Sequence, residues 1–197
     1  MSAIPKLLTY EDYLTLPEMM QRYEIIAGEM IMPPSPTFEH QWNSTQLYSP
    51  INNHVTRYRL GVVLYAPLDV MIRRSPLQTR QPDVLYISME RIRKYGFDSI
   101  QNVPFLEFPP DLTVEIVSPS ESARHIQEKL KDYQIIGVSE CWLVRARQQT
   151  VEVIQLTTDT VQSIGIFKNG ETIESKILPQ LALSVNTIFA PPDFLKW

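Results

Sequence analysis

The most informative stretch of the sequence is Asp111-Leu112-Thr113-Val114-Glu115-Ile116-Val117-Ser118-Pro119-Ser120. Residues 112–117 form a short run of mainly apolar and β-branched residues, which is typical of a strand buried inside a sheet. Residues 118–121 suit the start of a helix, because they combine a capping box with a proline at the first helical position. The stretch therefore predicts a buried strand that leads directly into a helix.

Helices and strands are also predicted on both sides of this stretch. The helix after it runs to about residue 136 and stops at Gly137, and Thr37 caps a long helix to about Arg59. Ala27-Gly28 indicates a hairpin, and short helices are expected after Thr9 and over 88–95. Further strands are predicted at 61–66, 69–73, 83–87, 140–145, 150–155, 161–167 and 172–177. We therefore predict one α/β (α+β) domain over residues 1–197, with a mixed sheet flanked by helices and a surface tail at 190–197.

The composition indicates an ordinary globular protein. The 197 residues are enough to bury a core, and 44% are hydrophobic and 20% charged. The single cysteine, Cys141, excludes an internal disulfide and favours a reducing compartment. The sequence shows no secretory signal and no apolar run of membrane-spanning length, so we expect a cytoplasmic protein without a membrane partner. The net charge of -4 argues against a strongly basic nucleic-acid-binding surface.

Two carboxylates contrast with the apolar strands that contain them. Asp83 lies at the entrance to the predicted strand 83–87, and Glu115 lies inside the strand 112–117. A buried carboxylate is costly without a partner, and a divalent metal ion is one such partner. With a backbone carbonyl such as that of Ile116, the two suit Mg²⁺, which can activate a water for attack on a phosphate. The alternatives are a salt bridge of Glu115 with Arg or Lys, exposure at a sheet edge, and a turn-capping role for Asp83.

Lys129 lies on the apolar side of the helix predicted after Glu115. At about 100° per residue it falls within the arc formed by Ile126, Leu130, Tyr133 and Ile136. A lysine on a core-facing stripe is unusual, so it either extends to solvent or reaches a buried carboxylate such as Glu115. In the second case it would stabilise a phosphorane-like transition state, orient the attacking water, or form a simple ion pair with Glu115.

These segments together resemble the Uma-two family of endonucleases, which is assigned to the PD-(D/E)XK superfamily. The resemblance covers roughly residues 10–155, and each segment by itself is weakly specific, whereas their order along the chain is distinctive. In chain order, the matching segments are Tyr23-Glu24-Ile25-Ile26-Ala27-Gly28-Glu29, Ser35-Pro36 with His40, Gln81-Pro82-Asp83-Val84, the stretch 111–120, Lys129, Tyr133, Gly137-Val138 and Glu140-Cys141-Trp142-Leu143-Val144.

The resemblance implies a restriction-endonuclease-like core with Asp83 and Glu115 as ligands of Mg²⁺ or Mn²⁺. The superfamily usually has a lysine two residues after this glutamate, but Val117 stands at that position here. The resemblance implies that Lys129 takes the place of that lysine. Glu24 would be a further acidic residue of the site, although an exposed hairpin glutamate is the alternative. The implied partners are DNA and a second copy of the chain, since enzymes of this superfamily that cut both strands generally pair two sites.

Two departures from the family pattern leave other functions open. His125 stands where an acidic residue is common, and Arg145 stands where aspartate is frequent. His40 and His54 lie too far apart on one helix to share a zinc ion. His40 also matches a family position, and its side chain would face either the active cleft or the core. Three hypotheses follow: a Mg²⁺-dependent endonuclease, an inactive domain of this fold that binds nucleic acid or protein, and a structural or regulatory homodimer.

Overall fold

The computed structural model describes residues 7–19, 21–99 and 105–191, which form two β-sheets and five α-helices. The helices are α1 (Tyr10–Leu14), α2 (Phe38–Tyr58), α3 (Met89–Tyr95), α4 (Ala123–Ile136) and α5 (Val185–Phe189). The strands are β1 (Glu24–Ile26), β2 (Glu29–Ile31), β3 (Gly61–Tyr65), β4 (Asp69–Arg74), β5 (Leu77–Arg80), β6 (Val84–Ser88), β7 (Phe105–Leu106), β8 (Leu112–Ile116), β9 (Glu140–Arg145), β10 (Thr150–Leu156) and β11 (Val161–Phe167). The predicted fold class is confirmed, with two sheets in place of the single predicted sheet.

The larger sheet has the strand order β11-β10-β9-β8-β6-β3, and the strand predicted from residues 112–117 lies in its interior. β8 runs parallel to β9 and antiparallel to β6. Because side chains alternate along a strand, Val114 and Ile116 face one side of the sheet while Glu115 faces the other. Glu115 therefore points to the face of the sheet opposite the apolar cluster that contains Val114 and Ile116.

Helices cover both faces of this sheet. Leu47 and Ile51 of α2 join an apolar cluster with Val114 of β8, whereas Leu130 and Tyr133 of α4 join a cluster that contains residues from β9 and β10. Ile72 of β4 packs in the second cluster as well, so α4 also contacts the smaller sheet. α4 therefore stands directly over the face to which Glu115 points.

The smaller sheet has the order β2-β1-β5-β4-β7 and positions the segment before β1. Asp69 accepts hydrogen bonds from the hydroxyls of Tyr13 and Tyr23, at 2.5 and 2.8 Å, and from Gln81 Nε2 at 3.0 Å. Burial raises the pKa of Asp69, against the effect of these donors. This buried network fixes Tyr23 and therefore the residues on either side of it.

Two sequence predictions about local structure are wrong. The helix after β8 begins at Ala123 with Ser122 as its cap, not at residues 118–121, because the Glu121 amide closes a turn on the Ser118 carbonyl at 3.0 Å. Residues 172–177 form no strand apart from a bridge between Thr172 and Ser184. Their amides bond elsewhere: the Lys176 N–H, for example, donates to the Glu140 carboxylate at 3.0 Å.

Strands β5 and β7 were not predicted, because neither has an alternating or β-branched pattern. The predicted caps Thr9 and Thr37, the hairpin β1–β2 and the end of α4 at Gly137 are confirmed. Most of the predicted surface tail lies outside the described residues, and one domain over residues 1–197 stays a prediction. Within the described ranges, no helix combines the length and apolar character needed to span a membrane.

Candidate active site

Asp83, which directly precedes β6, lies beside Glu115 of the neighbouring strand β8. β6 pairs with β8 in an antiparallel register that sets Val84 opposite Val114, so the next pair along this register is Asp83 and Glu115. The Asp83 amide donates to the Val114 carbonyl at 3.0 Å, which continues the pairing to this point. Opposite residues of an antiparallel pair share a face, and both side chains are only 3% exposed.

The two oxygens of Asp83 have different partners. Oδ2 accepts from the Ile116 amide at 2.6 Å, while Oδ1 accepts from Arg22 Nη1 and lies 3.5 Å from His40 Nε2. Burial works to raise the pKa of Asp83, but the His40 contact, the Arg22 charge and the Ile116 amide lower it to about 2. Asp83 is therefore held firmly in its ionised form.

Glu115 is bound by two residues of α4, one turn apart. Its Oε2 accepts from Lys129 Nζ at 2.8 Å and its Oε1 accepts from the Tyr133 hydroxyl. Burial is the main cause that raises the pKa of Glu115; Lys129 opposes this effect and the negative charge of Asp83 adds to it. Burial also raises the pKa of Tyr133 well above its ordinary value, which keeps its hydroxyl protonated as a donor.

Lys129 connects Glu115 to a second carboxylate that the sequence did not indicate. Its ammonium lies 3.0 Å from Glu121 Oε1, in the loop before α4. Burial works to lower the pKa of Lys129, but the charges of Glu115, Glu24 and Glu121 raise it above its ordinary value. The lysine on the apolar stripe therefore reaches buried carboxylates and not solvent.

Glu24 of β1 borders the same group of side chains. Its Oε2 accepts from Arg80 Nη1 at 2.9 Å and lies 3.8 Å from His125 Nε2. Arg80 is 1% exposed and also binds Asp132 of α4 at 2.7 Å. The other ring nitrogen of His125 is 3.2 Å from Glu121 Oε1. Glu24 is thus buried and not an exposed hairpin residue, and His125 Nε2 lies closer to Arg80 Nη1, at 3.1 Å, than to Glu24.

All four of the predicted side chains line one cavity of about 860 Å³. Glu24, Asp83, Glu115 and Lys129 share this cavity with Ile116, and His40 lines it as well. Arg145, the second departure from the family pattern, lies at the same cavity and forms an ion pair with Glu152 at 2.9 Å. The structure therefore brings together four predicted side chains, the first and last of which are 105 positions apart in the chain.

The donor chemistry of this cavity suits a hard divalent cation. Glu24 Oε1 is buried without a hydrogen-bond partner among the described residues, and Glu24 lines the same cavity as Asp83 and Glu115. Carboxylate oxygens are the ligands that Mg²⁺ prefers. Across the described part of the chain, however, no three His, Cys, Asp or Glu side chains already converge as a ligand set. The residues fit such an ion once Arg22 leaves Asp83 Oδ1, because each oxygen of Glu115 can accept a second contact besides that of Lys129 or Tyr133.

Three residues that contact the predicted site residues were not predicted from the sequence: Arg22, Glu121 and Tyr133. Arg22 belongs to the strand predicted at 22–26, where nothing marks it as a site residue, and the pattern at 118–121 predicts a capping box that contains Glu121. Tyr133 was assigned to the core, although its position four residues after Lys129 places both on the same helix face. Two signals point to Tyr133: its spacing from Lys129, and its place among the segments that match the family.

The comparisons with known proteins agree with this architecture. The family model Uma2, described as "Putative restriction endonuclease", matches residues 10–186. A search of curated proteins found no match. Among solved structures, the chain is similar to one from Anabaena variabilis ATCC 29413, described as "a putative nuclease belonging to DUF820". The TM-score is 0.74 at 23% identity, over 92% of this chain and 97% of that chain, so this likeness shows the fold alone.

The family match spans every residue that meets in the cavity. It begins at the first residue of α1 and ends within α5, and it therefore includes Glu24, Asp83, Glu115 and Lys129. The resemblance inferred from the sequence segments is confirmed over a longer range than those segments cover. The chain belongs to the Uma2 family, whose members are described as putative restriction endonucleases.

Proposed function

We propose that this protein is a Mg²⁺- or Mn²⁺-dependent endonuclease that hydrolyses phosphodiester bonds in DNA. The observation that carries the proposal is the Lys129–Glu115 contact of 2.8 Å, which lies beside Asp83 in the cavity that Glu24 also lines. A positioned lysine is one of the groups that stabilise the charge of a transferring phosphoryl group, and the neighbouring carboxylates are ligands that suit Mg²⁺. Membership of the Uma2 family supports the same reaction class.

In this proposal, the residues of the chain orient the carboxylates and stabilise charge. The Ile116 amide holds Asp83, and the Tyr133 hydroxyl holds Glu115. Lys129 would stabilise the negative charge that develops on the phosphoryl oxygens, because its ammonium is positioned before the reaction begins. A metal ion bound by Asp83, Glu115 and the Ile116 carbonyl would supply a water acidic enough to attack at neutral pH.

A cleavage assay with purified protein tests the proposal. Supercoiled and linear DNA would be incubated with Mg²⁺, with Mn²⁺ and with EDTA, beside an Asp83→Ala variant prepared in parallel. We expect cleavage that requires the metal and is absent from the variant. Cleavage that persists in EDTA, or that Asp83→Ala retains in full, would show that another site or a contaminant is responsible.

Replacing Lys129 separates its proposed role from that of an ordinary surface lysine. Lys129→Ala should reduce the single-turnover cleavage rate by about 10²–10³-fold, the usual cost of one positioned electrostatic donor. Lys131→Ala is the matched control, because Lys131 lies on the same helix but is exposed. Circular dichroism would check that both variants fold. Equal rates for the two variants would remove Lys129 from the mechanism and leave it as a structural ion-pair partner.

We expect Arg147, in the turn between β9 and β10, to contact a phosphate of DNA that enters the cavity. Arg147 lines the cavity, is exposed, and forms no ion pair within the described residues. Arg147→Ala should weaken binding to DNA of any sequence and reduce the salt slope of log K by about 1. Arg93→Ala, on the exposed side of α3, is the control. Fluorescence anisotropy at several salt concentrations measures both, and an unchanged slope for Arg147→Ala would place the DNA elsewhere.

We also propose that the protein acts as a homodimer, because two-fold pairing would present two cavities to the two strands of a duplex. Light scattering that gives a monomer mass at high micromolar protein would contradict this assembly. The cytoplasmic location stays a prediction from the sequence.

A second candidate is an inactive domain that binds nucleic acid or protein. The observation in its favour is that the oxygens of Asp83 and Glu115 already bind Arg22, Lys129 and Tyr133. Retained DNA binding without cleavage under any metal condition would favour this candidate over the nuclease.

A further inference from the structure

Arg22 binds Asp83 Oδ1, the carboxylate oxygen that does not accept from the Ile116 amide, and both residues line the cavity. Its Nη1 donates to Asp83 Oδ1 and its Nη2 donates to the Gln81 carbonyl, and the side chain is 25% exposed. We infer that Arg22 is an internal counter-ion that holds Asp83 in the metal-free protein and competes with a divalent cation for it. This inference rests on the metal site of the proposed function.

Competition follows from how Asp83 is fixed. The Ile116 amide in β8 holds Oδ2 at 2.6 Å, and a backbone donor inside a paired strand cannot move away without breaking the sheet. Oδ1 is therefore the oxygen that a cation in the cavity would use. Arg22 donates to this oxygen, and His40 Nε2 lies 3.5 Å from it. A guanidinium and a divalent ion carry the same sign of charge, so both cannot occupy this position at close range.

The Arg22 side chain can leave without unfolding its surroundings. The neighbouring residues are held independently: Tyr23 by Asp69 at 2.8 Å and Glu24 by Arg80 at 2.9 Å. Arg22 itself reaches Asp83 through a long, partly exposed side chain, whereas Lys129 is buried between Glu115 and Glu121. Of the two cations on the Asp83–Glu115 pair, Arg22 is therefore the one that can be exchanged for a metal ion.

Calorimetric titration with Mn²⁺ tests the inference without using nuclease activity. Arg22→Gln should bind Mn²⁺ at least about fivefold more tightly than the wild type, a coupling of ordinary size between two sites. Arg145→Gln is the matched control, because Arg145 lines the same cavity but pairs with Glu152 and not with Asp83. Arg22→Lys, which keeps the charge and loses the two-pronged contact, should fall between wild type and Arg22→Gln.

Each outcome decides the matter. Arg22→Gln with equal or weaker affinity would overturn the inference, and so would an equal gain in Arg145→Gln, which would show a general effect of cavity charge. Circular dichroism identifies a misfolded variant, in which case the Arg22→Lys affinity decides. If the wild type binds Mn²⁺ and cleaves no DNA, the inference stands while the nuclease proposal fails. If none of the proteins binds Mn²⁺, both the inference and the metal site are wrong.

Discussion

Replacing Glu115 by glutamine should abolish metal-dependent cleavage while leaving the metal-free protein at least as stable as the wild type. Loss of a metal ligand should reduce cleavage by more than the 10–100-fold that is typical for residues that only support a ligand. The fold should survive because Lys129 keeps Glu121 as a partner at 3.0 Å. The substitution therefore leaves no unpaired buried lysine, which would cost about 3–5 kcal/mol.

The expected sign of the stability change comes from the pKa of Glu115. Burial, with the charge of Asp83, raises this pKa above its ordinary value, so the ionised carboxylate weakens the folded state at neutral pH. A neutral glutamine of the same shape removes that penalty. Thermal unfolding in EDTA measures the effect, and calorimetry measures the loss of metal binding. A melting temperature lowered by more than about 5 °C, in a protein whose wild type binds no metal, would favour the inactive-domain candidate.

Replacing Asp83 by asparagine should have the opposite effect on stability, although it also abolishes cleavage. The pKa of Asp83 falls to about 2 in the folded protein, because the His40 contact, Arg22 and the Ile116 amide outweigh burial. A carboxyl with this pKa stabilises the fold at neutral pH by roughly 2 kcal/mol. Asp83→Asn should therefore lower the melting temperature at pH 7 by roughly 4–8 °C for a chain of this size.

The pH dependence gives this prediction a second test. A depressed pKa contributes stability above the unfolded value, and the contribution is lost as the pH falls through the folded value. The gap in melting temperature between wild type and Asp83→Asn should thus be constant near neutrality and should narrow below about pH 4. Asp159→Asn, at an exposed turn position, is the control and should show no gap. A gap that does not change with pH would mean that the loss comes from packing and not from charge.

If Glu115→Gln stabilises the metal-free protein and Asp83→Asn destabilises it, the two carboxylates are not both there to stabilise the fold. That result would support a ligand-binding role for the pair. Asp83 accepts from a backbone amide and a cation, whereas Glu115 accepts from the side chains of Lys129 and Tyr133. If both substitutions destabilised the protein equally, the pair would be better described as two structural salt bridges.

Local patterns in the sequence determined most of the secondary structure and the family. The apolar run at 112–117, the caps at Thr9 and Thr37 and the Ala27-Gly28 turn each predicted an element that the structure contains. These signals are strong because they depend on residues close together in the chain, such as a capping side chain and the amide three residues later. The position of Lys129 within an apolar arc is of the same kind, since it follows from helix periodicity.

Tertiary structure alone decided which residues complete the site. Arg22 lies 61 positions before Asp83, and its contact exists because β1 is held in the smaller sheet while Asp83 begins a strand of the larger one. Glu121 reaches Lys129 because the loop after β8 is four residues longer than the capping pattern suggested, which leaves Glu121 outside the helix. Such contacts depend on the packing of distant segments and on competition between backbone and side-chain hydrogen bonds. Neither the packing of distant segments nor the competition between hydrogen bonds can be predicted from a local sequence pattern. Local patterns therefore predicted the strands and helices, whereas tertiary packing brings the charged side chains together in the cavity.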